Sequence, residues 1–566
     1  MYISEVKISN FRSFRELNVK LRKNTILIGE NDVGKTNFFA ALSLPLSTNQ
    51  IDFNKKKLNI SDINKEAIID FYKAIIANEN ISTLSSRIPK VSVSLKFTDP
   101  KNNYEKCILA KWLIEENDTP CFKIRYEFKP KNDNDLIAAT KEILKNKCIN
   151  DTQWFSFPIE FYDYVIVSEN NEKQIPFIDL QKTRINNIFA ERDDFSSEGI
   201  LRSNNILTRL LITSLSDSEK SAINNSYVDF FKAIEGTETF EKLIKYDDCF
   251  ENIKSFLDEL ECTPNLPNLK SILSNITLKY GDEFLYQKGL GKRNLIYIFL
   301  LFAYYKSNEE SFNLCCIEEP EAHLSVNNLR VAVDFISKTI KESNSLLQTL
   351  ISSHNPNIIN KLELNNVVAL TGNKAVDLSS ADPKLLDYLR KRPNFDILKM
   401  LFADKVILVE GPSEELLINT FLLRQSSYLN NIEVIAVGQR GYRTFLDIWL
   451  TLNKDNPKKL IGIIRDFDNS DTSKAAHDRY DTENENVFIR TTQGYTLEYD
   501  FARAGNNTKL LSALFEVDEN EDAVARHMIL GKTSRMLQVC DAMSREESPL
   551  AIVLPDHIQQ VVEALS

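Results

Sequence analysis

The fold is decided by the stretch Gly29-Glu30-Asn31-Asp32-Val33-Gly34-Lys35-Thr36, which fits the phosphate-loop pattern G-x-x-x-x-G-K-[ST]. The apolar, β-branched run 24–28 precedes it as a predicted buried strand, and residues 37–42 continue it as a predicted helix. In such a loop, backbone N–H groups wrap phosphate oxygens, and the dipole of the following helix favours the anion. A chance glycine loop is the alternative, but the strand and the helix on either side argue against it.

The predicted contacts with a nucleotide follow from this loop. Lys35 is expected to neutralise charge on the β- and γ-phosphates, and Thr36 is expected to bind Mg²⁺. The sequence therefore predicts ATP as a cofactor. The candidate nucleotide-binding residues of this segment are Gly29, Asn31, Gly34, Lys35, Thr36 and Asn37.

The acidic partner of the loop lies far downstream, in Leu314-Cys315-Cys316-Ile317-Glu318-Glu319. An apolar strand that ends in two carboxylates can give one, Glu318, to Mg²⁺ and the next, Glu319, to the attacking water. A solvated strand end is the alternative for such a pair. His354, in Ser352-Ser353-His354-Asn355-Pro356, is either a sensor of the γ-phosphate or a structural histidine.

A second group of acidic residues lies in Val409-Glu410-Gly411-Pro412-Ser413-Glu414 and in Asp466-Phe467-Asp468. Strand-like runs lead into both motifs, and the segments between them predict a βαβαβ order with parallel strands. Glu410 would then lie at the carboxyl end of a strand, where open α/β sheets bind ligands. Asp466 and Asp468 would leave one face of an extended segment.

Four carboxylates, from Glu410, Glu414, Asp466 and Asp468, are therefore expected to converge. Such crowding is costly unless hard divalent cations, Mg²⁺ or Mn²⁺, offset the repulsion and bridge a scissile phosphate. Two metal ions about 3.5–4 Å apart could activate water and stabilise a leaving 3′ oxygen. A solvated turn is the alternative for an Asp-x-Asp motif on its own.

Taken together, the motifs resemble a known family. The opening Phe11-Arg12-Ser13-Phe14, the phosphate loop, the run Glu318-Glu319-Pro320-Glu321-Ala322-His323 and the segment around His354 look like the ABC-type ATPase heads of DNA-repair proteins related to SMC and RecF. With the acidic motifs added, the chain resembles the OLD (overcoming lysogenization defect) nucleases, which join such a head to a TOPRIM domain. Within that family it is similar to nuclease subunits of Gabija antiphage systems and to retron-associated OLD-type effectors, and the residues do not decide between them.

The resemblance implies two further residues of the acidic site. TOPRIM sites of this family have another acidic residue on a later strand and a lysine nearer the carboxyl terminus, and these roles fall on Glu498 and Lys532. A surface lysine is the alternative for Lys532, and Ser534 and Arg535 are neighbouring candidates for its role.

The resemblance also implies that ATP binds at a dimer interface. In ABC-type heads, a glycine-bearing loop of one subunit closes over the ATP of another. The candidate here is Lys288-Gly289-Leu290-Gly291-Lys292-Arg293-Asn294, with Gly289 and Gly291 facing the nucleotide. This segment lacks the usual Ser-Gly-Gly core, and a turn before a buried helix is the alternative.

Composition excludes several classes of protein. With 566 residues, 43% hydrophobic and 26% charged, the chain is expected to be a soluble protein of roughly two to four domains. The longest apolar stretch, Leu295–Tyr305, is too short to cross a bilayer, so no membrane partner is expected. Eight cysteines without a C-x-x-C pair favour reduced thiols in the cytoplasm over disulfides or zinc.

The net charge of −11 argues against general electrostatic adhesion to nucleic acid, so DNA contacts are expected to be local. The basic runs Lys55–Lys57 and Arg390–Arg392 are candidates, although such runs are usually solvated. Metal ions held by the acidic site would also attract the phosphate backbone.

The predicted fold class is α/β, with an ABC-type ATPase head that carries a helical insertion, followed by a TOPRIM domain with a mostly parallel sheet. The insertion is expected either to dimerise the heads or to be a helical layer of the head itself. The predicted boundaries are head 1–378, insertion 195–275 within it, linker 379–398 and TOPRIM domain 399–566. Residues 1–130 are predicted to be mainly strands, including 91–97, 106–114 and 122–128.

These observations predict a cytoplasmic, metal-dependent DNA endonuclease regulated by an ATP-binding head that forms a homodimer or higher homo-oligomer. Antiphage defence and an operon partner, either a helicase-like protein or a retron reverse transcriptase with its DNA or RNA, are implied by the resemblance alone. One alternative is an SMC- or RecF-like ATP-gated DNA-binding protein with an inactive TOPRIM domain. Another is primase- or topoisomerase-like chemistry on the same metals, although nothing marks any of the 19 tyrosines as a nucleophile.

Overall fold

The computed structural model divides the chain into two compact units. The first consists of Met1–Leu27 and Gly34–Ser353, and the second of Ile28–Val33 and His354–Ser566. All residues are described except 31, 49–55, 101–102, 117–118, 146–155, 170–171, 189–205, 240–268, 308–311, 323, 343–346, 356–357, 360–363, 381–396, 425–430, 439–441, 455, 468–469 and 546–548.

An antiparallel sheet forms one layer of the first unit, in the order β2-β1-β5-β7-β6, with β8 also paired to β7. Side chains of β5 alternate between buried and half-buried positions, so one face of the sheet packs on the core, as the alternating sequence predicts. The strands are β1 (Tyr2–Phe11), β2 (Phe14–Lys20), β5 (Val91–Thr98), β6 (Leu113–Glu116), β7 (Thr119–Pro130) and β8 (Tyr162–Ser168).

A parallel sheet forms the second layer, in the order β3-β13-β12-β9-β4. All seven residues of β12 are buried, which is typical of a parallel strand covered on both faces. The strands are β3 (Asn24–Ile28), β4 (Ser47–Thr48), β9 (Thr183–Ile188), β12 (Phe312–Glu318) and β13 (Leu347–Ser352), and a separate two-stranded ribbon consists of β10 (Lys279–Tyr280) and β11 (Glu283–Phe284).

The first unit also contains helices. They are α1 (Lys35–Leu42), α2 (Lys65–Ile76), α3 (Ile81–Arg87), α4 (Asn103–Leu109), α5 (Asp133–Leu144), α6 (Phe177–Leu180), α7 (Ile206–Ser214), α8 (Asp217–Glu235), α9 (Leu269–Leu273), α10 (Leu290–Ser307) and α11 (Val326–Glu342).

The strand prediction for residues 1–130 is correct for β5 and β7 but wrong for 106–114. Most of that segment belongs to α4 and to a 3₁₀ turn that follows it. Ile108, Leu109 and Trp112 lie on one helical face and are at most 5% exposed. Burial of this face outweighs the β propensity of the individual residues.

The predicted insertion, residues 195–275, is helical where the structure describes it. Helix α7 packs against α9 and against the long helix α10. Helix α8 begins at a capping box in which Ser216 and Glu219 satisfy each other's backbone N–H groups, and it leaves Phe230 58% exposed. Dimerisation through this block stays a prediction.

The second unit is built on a sheet of four described strands in the order β17-β16-β18-β19, and every neighbouring pair is parallel. The chain order β16, helix, β17, helix, β18 is the predicted βαβαβ run. An antiparallel hairpin of β14 and β15 precedes it. The strands are β14 (Val367–Thr371), β15 (Lys374–Asp377), β16 (Lys405–Val409), β17 (Ile432–Ala436), β18 (Leu460–Arg465) and β19 (Val487–Thr491).

Helices cover the parallel sheet of the second unit. Gly462 in β18 allows the last of them to approach closely, because a Cβ there would lie 2.3 Å from Cγ1 of Val561. The helices are α12 (Ile397–Phe402), α13 (Pro412–Arg424), α14 (Tyr442–Asn453), α15 (Asp471–Glu483), α16 (Leu497–Arg503), α17 (Asn507–Phe515), α18 (Glu521–Met543) and α19 (Asp556–Leu565).

Several predictions concern parts of the chain with little described structure. Residues 381–396, most of the predicted linker 379–398, lie outside the described residues, and the domain boundaries stay predictions. The cysteines in the described part of the chain, Cys107, Cys121, Cys315, Cys316 and Cys540, are thiols and form no disulfide with one another. Among the described helices, none combines the length and the apolar character that crossing a membrane requires.

Candidate nucleotide and metal sites

The phosphate loop connects the buried end of β3 to α1, as predicted. Gly34, directly before α1, has a φ of 102°, in the left-handed region that favours glycine. A Cβ at this position would lie 2.7 Å from Cζ of Phe14 and 2.8 Å from Oγ of Ser13. Gly34 is therefore required by its backbone conformation and by the close approach of the β1–β2 turn.

The β1–β2 turn also fixes the start of α1 through side-chain hydrogen bonds. Arg12 donates to Oδ1 of Asn37 at 3.1 Å, and Asn37 donates to Oγ of Ser13 at 3.0 Å. Arg12 pairs with Asp62 at 2.9 Å as well. Asp62 belongs to no motif and lies 50 residues from its partner, so no local pattern predicts this contact.

Lys35 and Thr36, the loop residues expected to contact phosphate and Mg²⁺, differ in exposure. Lys35 opens α1 and is 9% exposed, whereas Thr36 is exposed. A lysine so nearly buried is stable only beside acceptors, which suits a phosphate-binding position. Asn31 lies outside the described residues. The roles of all three stay predictions.

The acidic strand ends where the sequence predicts. Glu318 is the last residue of β12 and is aligned with Ser352 of β13. Glu319 follows with a φ of 41°, and its N–H donates to the Ser352 carbonyl at 2.9 Å. A left-handed glutamate costs about 1–3 kcal/mol, a strain that occurs most often at functional sites.

Two more residues follow β12 and β13. Ser353 donates to Oε1 of Glu321 at 2.7 Å, which joins the segments after the two strands. His354 comes next and is half-buried. His323 lies outside the described residues.

The predicted glycine-bearing loop 288–294 is shorter than expected. Helix α10 begins at Leu290, so Gly291 lies in its first turn and Gly289 lies directly before it. The N–H of Lys292 donates to the Gly289 carbonyl at 3.1 Å. Asn294 lies within the helix and is 2% exposed, so the helix begins closer to the amino terminus than predicted.

In the second unit, the turn from β16 into α13 brings Glu410 and Glu414 together. Residues 406–409 of β16 are buried, and Glu410 follows directly and is half-buried. Glu414, in the first turn of α13, points back and accepts the N–H of Gly411 at 3.1 Å. Glu414 is 8% exposed, and the dipole of α13 favours a negative charge at this position.

Asp466 follows β18, the strand next to β16, so both acidic motifs begin at the same edge of the sheet. Its Oδ1 accepts the N–H of Leu497 at 3.0 Å. Asp468 lies outside the described residues, so the shared face of the two aspartates stays a prediction.

The structure corrects the expected position of Glu498, which lies on a helix and not on a strand. It is the second residue of α16 and is 4% exposed. The Asp466 carboxylate accepts the N–H of the first residue of this helix and so satisfies one of the backbone donors that a helix start leaves free. One hydrogen bond therefore joins the segments that carry Asp466 and Glu498.

The acidic residues of the second unit shift the pKa values of their neighbours. Burial, together with the negative charges of Glu410 and Glu498, raises the pKa of Glu414 from 4.5 to about 7, against hydrogen bonds from backbone N–H groups. Burial and the charges of Glu410, Glu414 and Asp466 raise the pKa of Tyr442 well above its usual value. Glu410, Glu414, Asp466 and Glu498 thus influence one another or a common neighbour.

Tyr442 and Thr496 also lie at this site, although neither is among the residues predicted for it. The Tyr442 hydroxyl donates to the Ile464 carbonyl at 3.0 Å, close to the end of β18. Oγ1 of Thr496 is buried and has no hydrogen-bond partner among the described residues. A threonine before acidic residues signals a helix start, and that signal could have identified Thr496.

The donor set suits a hard divalent cation. Carboxylate oxygens are the ligands that Mg²⁺ and Mn²⁺ prefer, and a buried carboxylate with a raised pKa beside two others calls for a positive charge. As the side chains stand, no group of three or more His, Cys, Asp or Glu in the described part of the chain could already hold a metal ion.

Lys532 lies on α18, which packs against the helices that carry Glu414 and Glu498. Its φ of 20° and ψ of −105° interrupt the helix, and its side chain is exposed. Ser534 donates to a backbone carbonyl three residues earlier, and Arg535 lies over a phenylalanine ring, so both neighbouring candidates make local contacts. The strained backbone favours Lys532, whose role stays a prediction.

Comparison with known families defines the class of protein. The AAA ATPase domain family matches residues 1–359, and the chain belongs to this family. The family described as overcoming lysogenization defect protein-like, TOPRIM domain, matches residues 401–467, which include Glu410, Glu414 and Asp466. The predicted α/β fold class, an ATPase head followed by a TOPRIM domain with a parallel sheet, is confirmed.

Two relatives extend along three-quarters of the chain. Endonuclease GajA of Bacillus cereus (strain HuB5-5) is 22% identical and is matched over 75% of this chain and 71% of its own. Endonuclease GajA of Bacillus cereus (strain VD045) is 27% identical and is matched over 75% of this chain and 68% of its own. The resemblance to OLD nucleases is confirmed.

Among solved structures, the chain is similar to two Smc heads. The SmcHead bound to the C-winged helix domain of ScpA has 16% identity and a TM-score of 0.33, covering 67% of this chain and 99% of its own. The Pyrococcus furiosus Smc head domain with an extended coiled coil has 14% identity and a TM-score of 0.32, covering 69% and 99%. At TM-scores below 0.5, neither likeness supports a conclusion.

Proposed function

We propose that the protein is a metal-dependent DNA endonuclease whose ATPase head binds ATP, hydrolyses it and regulates cleavage. The observation that carries the proposal is the buried Glu414, whose pKa is raised to about 7 in part by Glu410 and Glu498. Such mutual repulsion is relieved when divalent cations and a phosphate backbone enter the site. The similarity to endonuclease GajA supports DNA as the substrate.

The acidic residues would hold the metal, which supplies an activated water and stabilises the leaving oxygen when it is bound. The ligands would be Glu410, Glu414, Asp466, Asp468 and Glu498. Lys532 would contribute a positive charge to the phosphate undergoing cleavage. Glu414 binds its proton below about pH 7 and must lose it before it can act as a ligand.

The ATPase head would hold nucleotide through the phosphate loop. Lys35 would neutralise the β- and γ-phosphates, and Thr36 and Glu318 would hold Mg²⁺. Glu319 would orient the attacking water, and His354 would sense the γ-phosphate. The strain at Glu319, with its φ of 41°, supports a functional position for this residue.

Assembly and biological role extend the proposal. Gly289 and Gly291 would face ATP held by a second copy of the chain, so a homodimer or higher homo-oligomer is expected. By similarity to its relatives, the protein would act in antiphage defence in the cytoplasm, with a helicase-like or retron-encoded partner.

Cleavage of supercoiled plasmid DNA tests the proposal. Purified protein should nick the plasmid with Mg²⁺ or Mn²⁺ and not with EDTA, and Asp466→Ala should abolish nicking. Asp518→Ala, at an exposed position in the same unit, is the matched control. Metal-dependent nicking that survives in Asp466→Ala would refute the assignment of the site.

A variant of the phosphate loop tests the head. Lys35→Ala should lose ATP turnover and retain metal-dependent nicking, because the two sites use different residues. No nicking by the wild type under any metal or ATP condition would leave an ATP-gated DNA-binding protein with an inactive TOPRIM domain as the better description.

A further inference from the structure

Asp500 is a buried acidic residue that the proposed mechanism does not use. It lies on α16, two residues after Glu498, and is 9% exposed. Its Oδ2 accepts the N–H of Gln493 at 2.6 Å, and its Oδ1 accepts the N–H of Gly494 at 2.7 Å. One carboxylate thus holds two successive backbone amides of the segment that leads from β19 to α16.

A histidine from another helix supports the carboxylate. Nδ1 of His557, at the start of α19, lies 3.3 Å from Oδ2 of Asp500, and His557 is 5% exposed. Burial alone would raise the pKa of Asp500, but the hydrogen bonds from His557, Gly494 and Gln493 outweigh it and lower the pKa. Helix α19 packs on β18 and β19, so the support is anchored to the sheet.

The sequence at Gly494 is adapted to this contact. A Cβ at position 494 would lie 2.9 Å from Oδ1 of Asp500 and 3.2 Å from Cβ of Tyr499. Any larger residue would therefore push the backbone away from the carboxylate.

The other side of the same segment is attached to the acidic motif of β18. The Thr492 hydroxyl accepts the N–H of Phe467 at 2.9 Å and donates to the Gly494 carbonyl at 2.9 Å. The Asp466 carboxylate accepts the N–H of Leu497 at 3.0 Å. Residues 492–497 are thus held between Asp500 and the Asp466 segment.

We propose that Asp500 is a positioning residue, which fixes segment 492–497 and thereby sets where Glu498 stands relative to Asp466. This inference rests on the proposed nuclease function. Asp500 does not contact metal or DNA in this scheme and acts only through the backbone that it holds. Its partners are backbone N–H groups and an imidazole, so an amide in its place cannot satisfy them, because its NH₂ group would face a donor.

The test compares Asp500→Asn and Gly494→Ala with the wild type and with the exposed control Asp518→Asn. Hydrogen exchange followed by mass spectrometry on the full chain reads the segment directly. Peptides covering 492–498 should exchange at least about fivefold faster in both variants, while peptides from β16 and β18 stay unchanged. If the peptides covering 492–498 exchange at the wild-type rate in folded Gly494→Ala and Asp500→Asn, the proposal is overturned.

Metal titration provides the functional readout. Asp500→Asn should weaken Mn²⁺ binding about tenfold to a hundredfold, the usual effect of removing a group that orients metal ligands. The Mn²⁺ dependence of plasmid nicking should shift by the same factor, with the DNA KM within about twofold of the wild type. A purely structural role would lower the active fraction without moving the Mn²⁺ midpoint, and that result would also overturn the proposal.

Different results would refute the nuclease function and the positioning role of Asp500. Wild-type protein that neither binds Mn²⁺ nor nicks DNA refutes the nuclease function itself. Wild-type protein that does both, beside variants with unchanged Mn²⁺ midpoints, refutes only the role of Asp500.

Discussion

Lowering the pH should weaken metal binding because Glu414 must first lose a proton. The pKa of Glu414 is raised from 4.5 to about 7. A carboxyl group is mainly protonated below its pKa. The affinity of the site for the metal ion should therefore be highest above about pH 7 and should fall as the pH is lowered. Glu414 is 8% exposed, which keeps water from screening the charges that raise its pKa.

The size of the change in Mn²⁺ affinity follows from the fraction of Glu414 that is ionised at each pH. About nine-tenths is ionised at pH 8 and about one-tenth at pH 6, so the Kd for Mn²⁺ should rise about tenfold, or about 1.4 kcal/mol. An ordinary glutamate with a pKa of 4.5 would change the Kd by only a few per cent over this interval.

Isothermal titration of nucleotide-free protein with Mn²⁺ measures both the Kd and the protons released. Buffers with different ionisation enthalpies should report about one proton released per site at pH 6 and almost none at pH 8. Glu414→Gln should bind Mn²⁺ weakly at both pH values, and the exposed control Glu519→Gln should behave as the wild type. Equal Kd values at pH 6 and pH 8, without proton release, would refute the reasoning.

Three further predictions concern backbone geometry. Gly34→Ala should lower the thermal midpoint, measured by calorimetry, and weaken ATP binding, measured by nucleotide titration. The reason is that the φ of 102° at Gly34 and the 2.7 Å approach to Phe14 exclude a methyl group. Unchanged ATP affinity would contradict this prediction. Gly462→Ala should lower the free energy of unfolding, measured in urea, by about 1–3 kcal/mol, because the added Cβ would lie 2.3 Å from Cγ1 of Val561. Adding Val561→Ala should restore part of this stability. If the double variant is no more stable than Gly462→Ala alone, the contact with Val561 is not the cause. Lys532→Gly should keep or raise the thermal midpoint, because glycine relieves the strain at φ 20°, while it reduces nicking; retained nicking would remove Lys532 from the site.

The parts of the fold that the sequence predicts best are those with short-range patterns. The phosphate loop, β12 and the βαβαβ run are each marked by contiguous apolar residues followed by glycine or acidic residues. Glu414 and Asp466 could be assigned from the same patterns, because the end of a buried parallel strand fixes the position of the residues that follow it.

Tertiary contacts account for what the sequence did not predict. Helix α16 starts where the Asp466 side chain accepts its first N–H, 31 residues away, and that contact has no local signature. Residues 106–114 have β propensity, but burial of Trp112 makes much of the segment helical. The contact between Asp500 and His557 joins two helices and has no local signature.

The pairing of β16 with β18 makes strand length a functional property. Their parallel register, with Leu408 opposite Ile463, fixes the levels at which Glu410 and Asp466 leave the sheet. Inserting one residue in either strand would turn its following carboxylate to the opposite face, and inserting two would displace it by about 6.6 Å. That displacement exceeds the spacing of about 4 Å between paired catalytic metals. If the proposed function is correct, insertions and deletions within these two strands should be absent from active relatives, whereas the lengths of their loops can vary.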